Sequence, residues 1–188
     1  MSKLFILRIT PGGKNDGIDQ TLFNKSKNII SIGWSYMPEK IINSSRLEIS
    51  EIISKEEIKR DKSNQIHISY VNEIFNRFIF QMKINDLVLI PRSSANGHDG
   101  TDLYVAKIIS DIKYDKNIVE NGCAFYREAE WTKTPVKWRT SPYNQNVNLP
   151  DVSNQLMKFM WKPNIIRRTL SKECNQFFEN AKFKGVAL

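Results

Sequence analysis

The sequence predicts an α+β fold: a small, strongly bent β-barrel flanked by helices, with a C-terminal helical extension. Three observations predict it. Five or six short runs rich in β-branched and aromatic residues occur without the alternating rhythm of parallel βαβ units. Two stretches of helical periodicity fall between the early strands. Composition then changes near residue 140, where an Asn-, Gln- and Pro-rich stretch begins. The expected organisation is a barrel domain over 1–140 and a basic helical extension over 141–188, packed on the barrel or forming an interface.

Taken in order, Lys3 to Thr10 is an apolar run with one interruption, Arg8, and reads as a buried strand. An arginine on such a strand needs a partner or an open pocket. Pro11 to Gly17 is a loop, with Gly12, Gly13 and Lys14 offering exposed amides and a cation. Ile18 to Lys27 fits a short helix that packs Leu22 and Phe23 inward.

The stretch Ile29-Ile30-Ser31-Ile32-Gly33-Trp34-Ser35 reads as a buried strand running into a glycine and then a tryptophan. Gly33 would let the backbone bend there. Trp34 is either a core plug or the flat wall of a pocket for a planar ligand such as a nucleobase.

Helical periodicity returns over Glu39 to Lys62, with Ile49, Ile52 and Ile53 inward, Ser50 as N-cap and residues 55–62 in solvent. A second helix is expected over Ser63 to Gln81, with Ile66, Tyr70, Ile74, Phe75, Phe78 and Ile79 on one stripe. Asn85-Asp86 then makes a turn, and Leu87 to Ile90 a strand that ends at Pro91. Ser93 to Thr101 is a polar loop. Strands follow at Leu103 to Ile109 (continuing by alternation to Tyr114), Tyr126 to Trp131 and Val136 to Trp138. Trp131 and Trp138 read as strand-packing residues. Helices are expected at Val152 to Trp161 and Ile165 to Ala181.

Charge narrows the partners. The 188 residues carry a formal net charge of +8, which fits a polyanionic partner. Residues 141–188 hold seven Lys and Arg against three Asp and Glu, so the last quarter of the chain carries half of the excess. Lys162, Arg167, Arg168 and Lys172 are the cations expected there on helices, where they would either follow a phosphate backbone or form a solvated face. Arg8, Gly12, Gly13 and Lys14, with Arg92, Ser93 and Asn96 at the start of the polar loop, are further candidates for backbone contact.

Other classes find little support. Cys123 and Cys174 are the two cysteines and His67 and His98 the two histidines, too few for a structural zinc site or a disulfide framework. The expected setting is a reducing cytoplasm. No run approaches the about 18 apolar residues of a membrane span. Glu57-Ile58-Lys59 has the Glu-x-Lys form of metal-dependent nucleases, but it falls in a charged helical stretch without the buried strand such chemistry uses. Neither histidine has a nucleophile beside it in sequence, and there is no phosphate-binding glycine loop. The sequence thus points to a binding module without a cofactor or metal.

Four landmarks in order resemble a known group: the strand ending in Pro11-Gly12-Gly13, Ile32-Gly33-Trp34, the turn and strand Met82 to Leu89, and Val105 to Tyr114 followed by Glu128-Ala129-Glu130-Trp131. Over roughly residues 3–139 the chain resembles the PUA-like superfamily, near the EVE and YTH domains. It is most similar to the domain fused to modification-dependent restriction endonucleases. The resemblance implies a bent barrel whose pocket takes a flipped-out modified base. By position it implies Trp34 as the pocket wall, with Ser31, Ile32, Gly33 and Ser35 lining it. Two departures stand out: Asn85 and Ala106 occupy positions where the group commonly has glycine.

The expectation is therefore a module that reads a modified base in DNA or RNA by flipping it. It would supply specificity to a nuclease or NTPase partner in a restriction or defence system, or act alone as a sensor. The alternative is a protein-interaction or small nucleotide-ligand module of the same fold.

Overall fold

The structure is a computed structural model that describes residues 4–7, 20–60, 65–91, 102–132, 136–137 and 166–168. It is α+β. Strands β1 (Leu4–Ile6), β2 (Ile29–Ile32), β3 (Leu87–Pro91), β4 (Asp102–Ile108), β5 (Lys113–Tyr114), β6 (Phe125–Trp131), β7 (Val136–Lys137) and β8 (Ile166–Arg168) form one mixed sheet. Six of them lie on the path β2-β6-β4-β3-β1-β8, while β5 pairs with β6 and β7 with β4. Helices α1 (Gln20–Ser26), α2 (Arg46–Lys59) and α3 (Gln65–Asn76) accompany the sheet.

The closed barrel expected from sequence is not what the pairing gives. The two ends of the path, β2 and β8, do not pair with each other among the described residues, so the sheet is open. A barrel needs every strand edge matched in register; here the parallel pairing of β1 with β3 (Phe5 opposite Val88) leads on to β8 instead.

That last strand corrects a second expectation. Ile166–Arg168 is a strand antiparallel to β1, with Arg167 opposite Phe5, and not the start of a helix. Ile165 and Ile166 follow Pro163, and consecutive β-branched residues favour a pleated edge over a helix. Arg167 and Arg168 are thus strand residues in the sheet. The remaining helices expected beyond residue 141 lie outside the described residues.

The helices form for local reasons, with shifted boundaries. α1 stops where Asn28 turns left-handed (φ 54°), a conformation asparagine tolerates, and β2 begins at the next residue. α2 starts at a capping box: Glu48 N–H donates to Ser45 Oγ at 3.4 Å, and Ser45 N–H to Glu48 Oε2 at 2.7 Å. The N-cap is therefore Ser45 and not Ser50. Along α2 the buried positions are Ile49, Ile53 and Glu57, four residues apart on one stripe. Glu57, expected in solvent, is wholly buried. α3 buries Val71, Ile74 and Phe75, whereas Ile66 is 80% exposed and leaves the expected stripe.

After Asn76 the helix widens into one π-helical turn, Arg77–Gln81, which buries Phe78 and Ile79. Widened turns strand carbonyls. Arg127 collects them: its Nε and Nη2 donate to Phe78 O at 3.1 and 2.9 Å, and Nη2 to Ile79 O at 3.1 Å. Nη1 donates to Ser110 O at 3.1 Å. Arg127 sits on the inward set of β6 with Phe125, Ala129 and Trp131. Burial pulls its titration downward, against Asp111 and Asp86, which raise it.

The core lies where α2 and α3 cover the sheet. Ile30, Ile53, Phe75 and Phe125 there have no exposure, and each such side chain contributes about 1.5–3 kcal/mol. Trp131 packs edge-on to Tyr104 and donates its indole N–H to Ile29 O at 3.1 Å, the strand-packing role expected of it. Trp138 lies outside the described residues.

Candidate ligand site

Where β2 ends, the backbone does something unusual. Gly33 is not among the left-handed residues; Trp34 is, at φ 64°. A bulky residue there is costly, because its Cβ crowds the backbone. The structure holds it by a tight turn, Met37 N–H to Trp34 O at 2.9 Å, and by burying Met37. Only the Gly33 to Trp34 order was legible in sequence, and the strain falls one residue later than expected.

The turn aims Trp34 at α3. Its ring, half-buried, lies 5.9 Å from Phe75 in an edge contact and 6.1 Å from Tyr70 in a tilted one. Tyr70 in turn lies 6.4 Å from the ring of His67, one helical turn earlier. Tyr36, two residues after Trp34, reaches the end of α2. Its hydroxyl donates to Glu57 Oε1, and the Arg60 guanidinium stacks 4.1 Å over its ring.

Glu57 is the hinge of this cluster. His67 Nε2 lies 2.9 Å from Oε2, so both carboxylate oxygens are engaged in a site the solvent does not reach. A carboxylate is tolerable there because donors replace its water. Tyr36 responds: burial first, then the hydrogen bond and charge of Glu57, push its hydroxyl's titration well up, with Arg60 opposing. The loop after β2, the end of α2 and the start of α3 thus meet at one polar and aromatic cluster.

The residues expected to line a pocket divide. Trp34, Gly33 and Ser35 are half-buried at the turn. Ser31 and Ile32 are buried in β2, backbone-paired with Tyr126 and Phe125. Ser31 Oγ donates to Asn24 Oδ1 of α1 at 2.9 Å. Arg8, Gly12, Gly13, Lys14, Arg92, Ser93 and Asn96 lie outside the described residues. Missing from the sequence reading are Tyr36, Glu57, His67 and Tyr70 acting together. One signal was available: Glu57 continues the Ile49, Ile53 stripe, which places a carboxylate inward.

Away from this cluster, α2 carries a groove of about 620 Å³ lined by Leu47, Ser50, Glu51, Ser54, Lys55, Ile58 and Lys59. Among the described residues no group of three or more His, Cys, Asp or Glu is placed to hold a metal ion. None of their helices is long and apolar enough to cross a membrane.

An open mixed sheet with helices, carrying one aromatic and carboxylate cluster, is the class of protein the structure defines. The chain belongs to a family described as a domain of unknown function (DUF8426), whose model matches residues 8–153. That span contains every residue of the cluster. No curated protein matches the chain, and no solved structure does.

Proposed function

We propose that this chain is a nucleic-acid-binding module that takes a single, chemically modified base against Trp34, in the manner of PUA-like readers with a bent sheet and flanking helices. One observation carries the reading: Trp34 is held at φ 64° with its ring half-buried against Tyr70 and Phe75. Such backbone costs about 1–3 kcal/mol and concentrates at binding sites. Trp34 also packs against the edge of the core, and the left-handed turn at so bulky a residue is what favours a binding role for it. The net charge of +8 supplies the attraction to phosphates, and stacking on an aromatic contributes about 1–3 kcal/mol per base. The module would supply specificity to a nuclease or NTPase partner, or act alone as a sensor.

The test is a binding screen. Duplexes and single strands carrying methylated, hydroxymethylated or glucosylated bases are titrated at 50 and 200 mM salt. The reading expects one modification to bind at least about tenfold tighter than its plain counterpart. It also expects affinity to fall steeply with salt, as several phosphate contacts require. No preference across the panel, or binding indifferent to salt, would sink it.

A second reading has its own observation. Leu47 and Ile58, 72% and 59% exposed, line the α2 groove, which favours a protein partner there. Association through that face would persist at high salt and fall with Leu47→Ser.

A further inference from the structure

We propose that His67 reads the hydrogen-bonding edge of the bound base, that it selects an exocyclic amino group, and that Glu57 is the residue positioning it. The inference deepens the Trp34 reading and rests on it.

Stacking holds any base, because every base has a π-face; selectivity has to come from a polar group at the edge. Around Trp34 the hydroxyls of Ser35 and Tyr70 both donate and accept, so neither separates an amino group from a keto oxygen. Tyr36 donates its hydroxyl proton to Glu57, and the Glu57 carboxylate has both oxygens engaged and no exposure. Ser31 is buried and donates to Asn24. His67 is different. Its side chain is 32% exposed, and its ring stands beside Tyr70, which stands beside Trp34. Its second ring nitrogen, Nδ1, makes no hydrogen bond among the described residues.

What Nδ1 offers follows from its neighbour. With Glu57 ionised, its Oε2 can only accept, and the 2.9 Å contact then comes from an N–H on Nε2. In the neutral ring that leaves Nδ1 a bare acceptor. An acceptor facing the exocyclic position, away from the ring N–H of hypoxanthine and uracil, favours an amino group: that of adenine or cytosine, or the N–H left after single methylation. It disfavours a keto oxygen. The Tyr36 hydroxyl on Oε1 keeps the carboxylate from turning away. Glu57 therefore sets the tautomer, and His67 meets the ligand.

The test compares oligonucleotides differing at one position, adenine against hypoxanthine and cytosine against uracil, at pH 8. The parent is expected to prefer the amino member of at least one pair by about tenfold, the worth of one good edge contact. His67→Phe keeps a ring beside Tyr70 and removes both nitrogens, so the ratio should fall to about one while the salt dependence stays. Glu57→Gln no longer dictates the tautomer, and its ratio should lie between the two. A purely structural role would lower all affinities together and leave the ratio intact. An unchanged ratio in folded His67→Phe overturns the inference; if that variant does not fold, an unchanged ratio in Glu57→Gln does so. A parent that binds through Trp34 without amino preference overturns this inference alone. A parent that binds no oligonucleotide overturns the Trp34 reading and this inference with it.

Discussion

His67 Nε2 meets the Glu57 carboxylate at 2.9 Å, joining α3 to α2 across a point that solvent does not reach. The contact explains how a glutamate survives on the inward stripe of α2. It also ties the two residues into one contact.

The first prediction concerns that contact. His67→Ala leaves a buried oxygen of Glu57 without its donor and should destabilise the fold by about 1–3 kcal/mol. Glu57→Gln keeps the shape and should cost less. A double-mutant cycle read by urea unfolding should give a coupling of at least about 0.5 kcal/mol. Strict additivity would mean the contact contributes nothing.

Trp34 gives a second prediction with an inverted order. At ordinary positions glycine is worse than alanine by about 0.5–1 kcal/mol. At φ 64° glycine is unstrained and alanine is not. Trp34→Gly should therefore be at least as stable as Trp34→Ala, though both lose the contacts to Tyr70 and Phe75. Asn85, at φ 73°, offers the same comparison without lost packing. Asn85→Gly should stabilise slightly, and Asn85→Val should destabilise by more than about 1 kcal/mol.

Arg127 is the third. Its four hydrogen bonds go to carbonyls of Phe78, Ile79 and Ser110. Lysine has no planar fork to reach three carbonyls at once. Arg127→Lys should lower stability by about 2–4 kcal/mol, measured as the denaturant midpoint, because buried acceptors lose their donors. A shift below about 0.5 kcal/mol would mean the π-helical turn holds itself.

Alkaline pH gives the fourth. Burial pushes the Cys123 thiol up to about 11, with Ser31 opposing, and the Tyr36 hydroxyl is raised as well. In both, the folded state holds its proton where the unfolded chain has released it. The folded state thus binds more protons as pH climbs, and stability falls. The loss should begin near pH 9, where an unfolded thiol ionises, and deepen above pH 10 as unfolded tyrosine follows. Cys123→Ala should flatten the profile between pH 9 and 11, and Tyr36→Phe above pH 10. Parallel profiles for all three proteins would contradict the assignment.

How much of this was legible in the sequence can be read residue by residue. Leu87 to Ile90 and Tyr126 to Trp131 declared themselves as strands because their apolar residues are consecutive or alternate, which is local information. The Asn85 turn was legible for the same reason. Closure was not: whether β2 meets β8 depends on distant pairing that no local pattern encodes. Ile166 to Arg168 carried both helical spacing and a β-branched start, and pairing with β1 decided between them. In the site, Trp34 stood out by residue type. Glu57 and His67 did not, since ten positions and a helix-helix junction separate them, and each alone resembles a surface residue. Arg127 was hidden among alternating charges; its place on the inward phase of β6 was the only clue.

The most direct measurement of the central claim is the ratio of dissociation constants for a modified oligonucleotide and its plain counterpart, compared among the parent, Trp34→Phe and Trp34→Ala. If Trp34 is the wall against which the base stacks, the ratio should survive largely in Trp34→Phe and fall to about one in Trp34→Ala. The same ratio in all three proteins, each shown to be folded, would contradict the account.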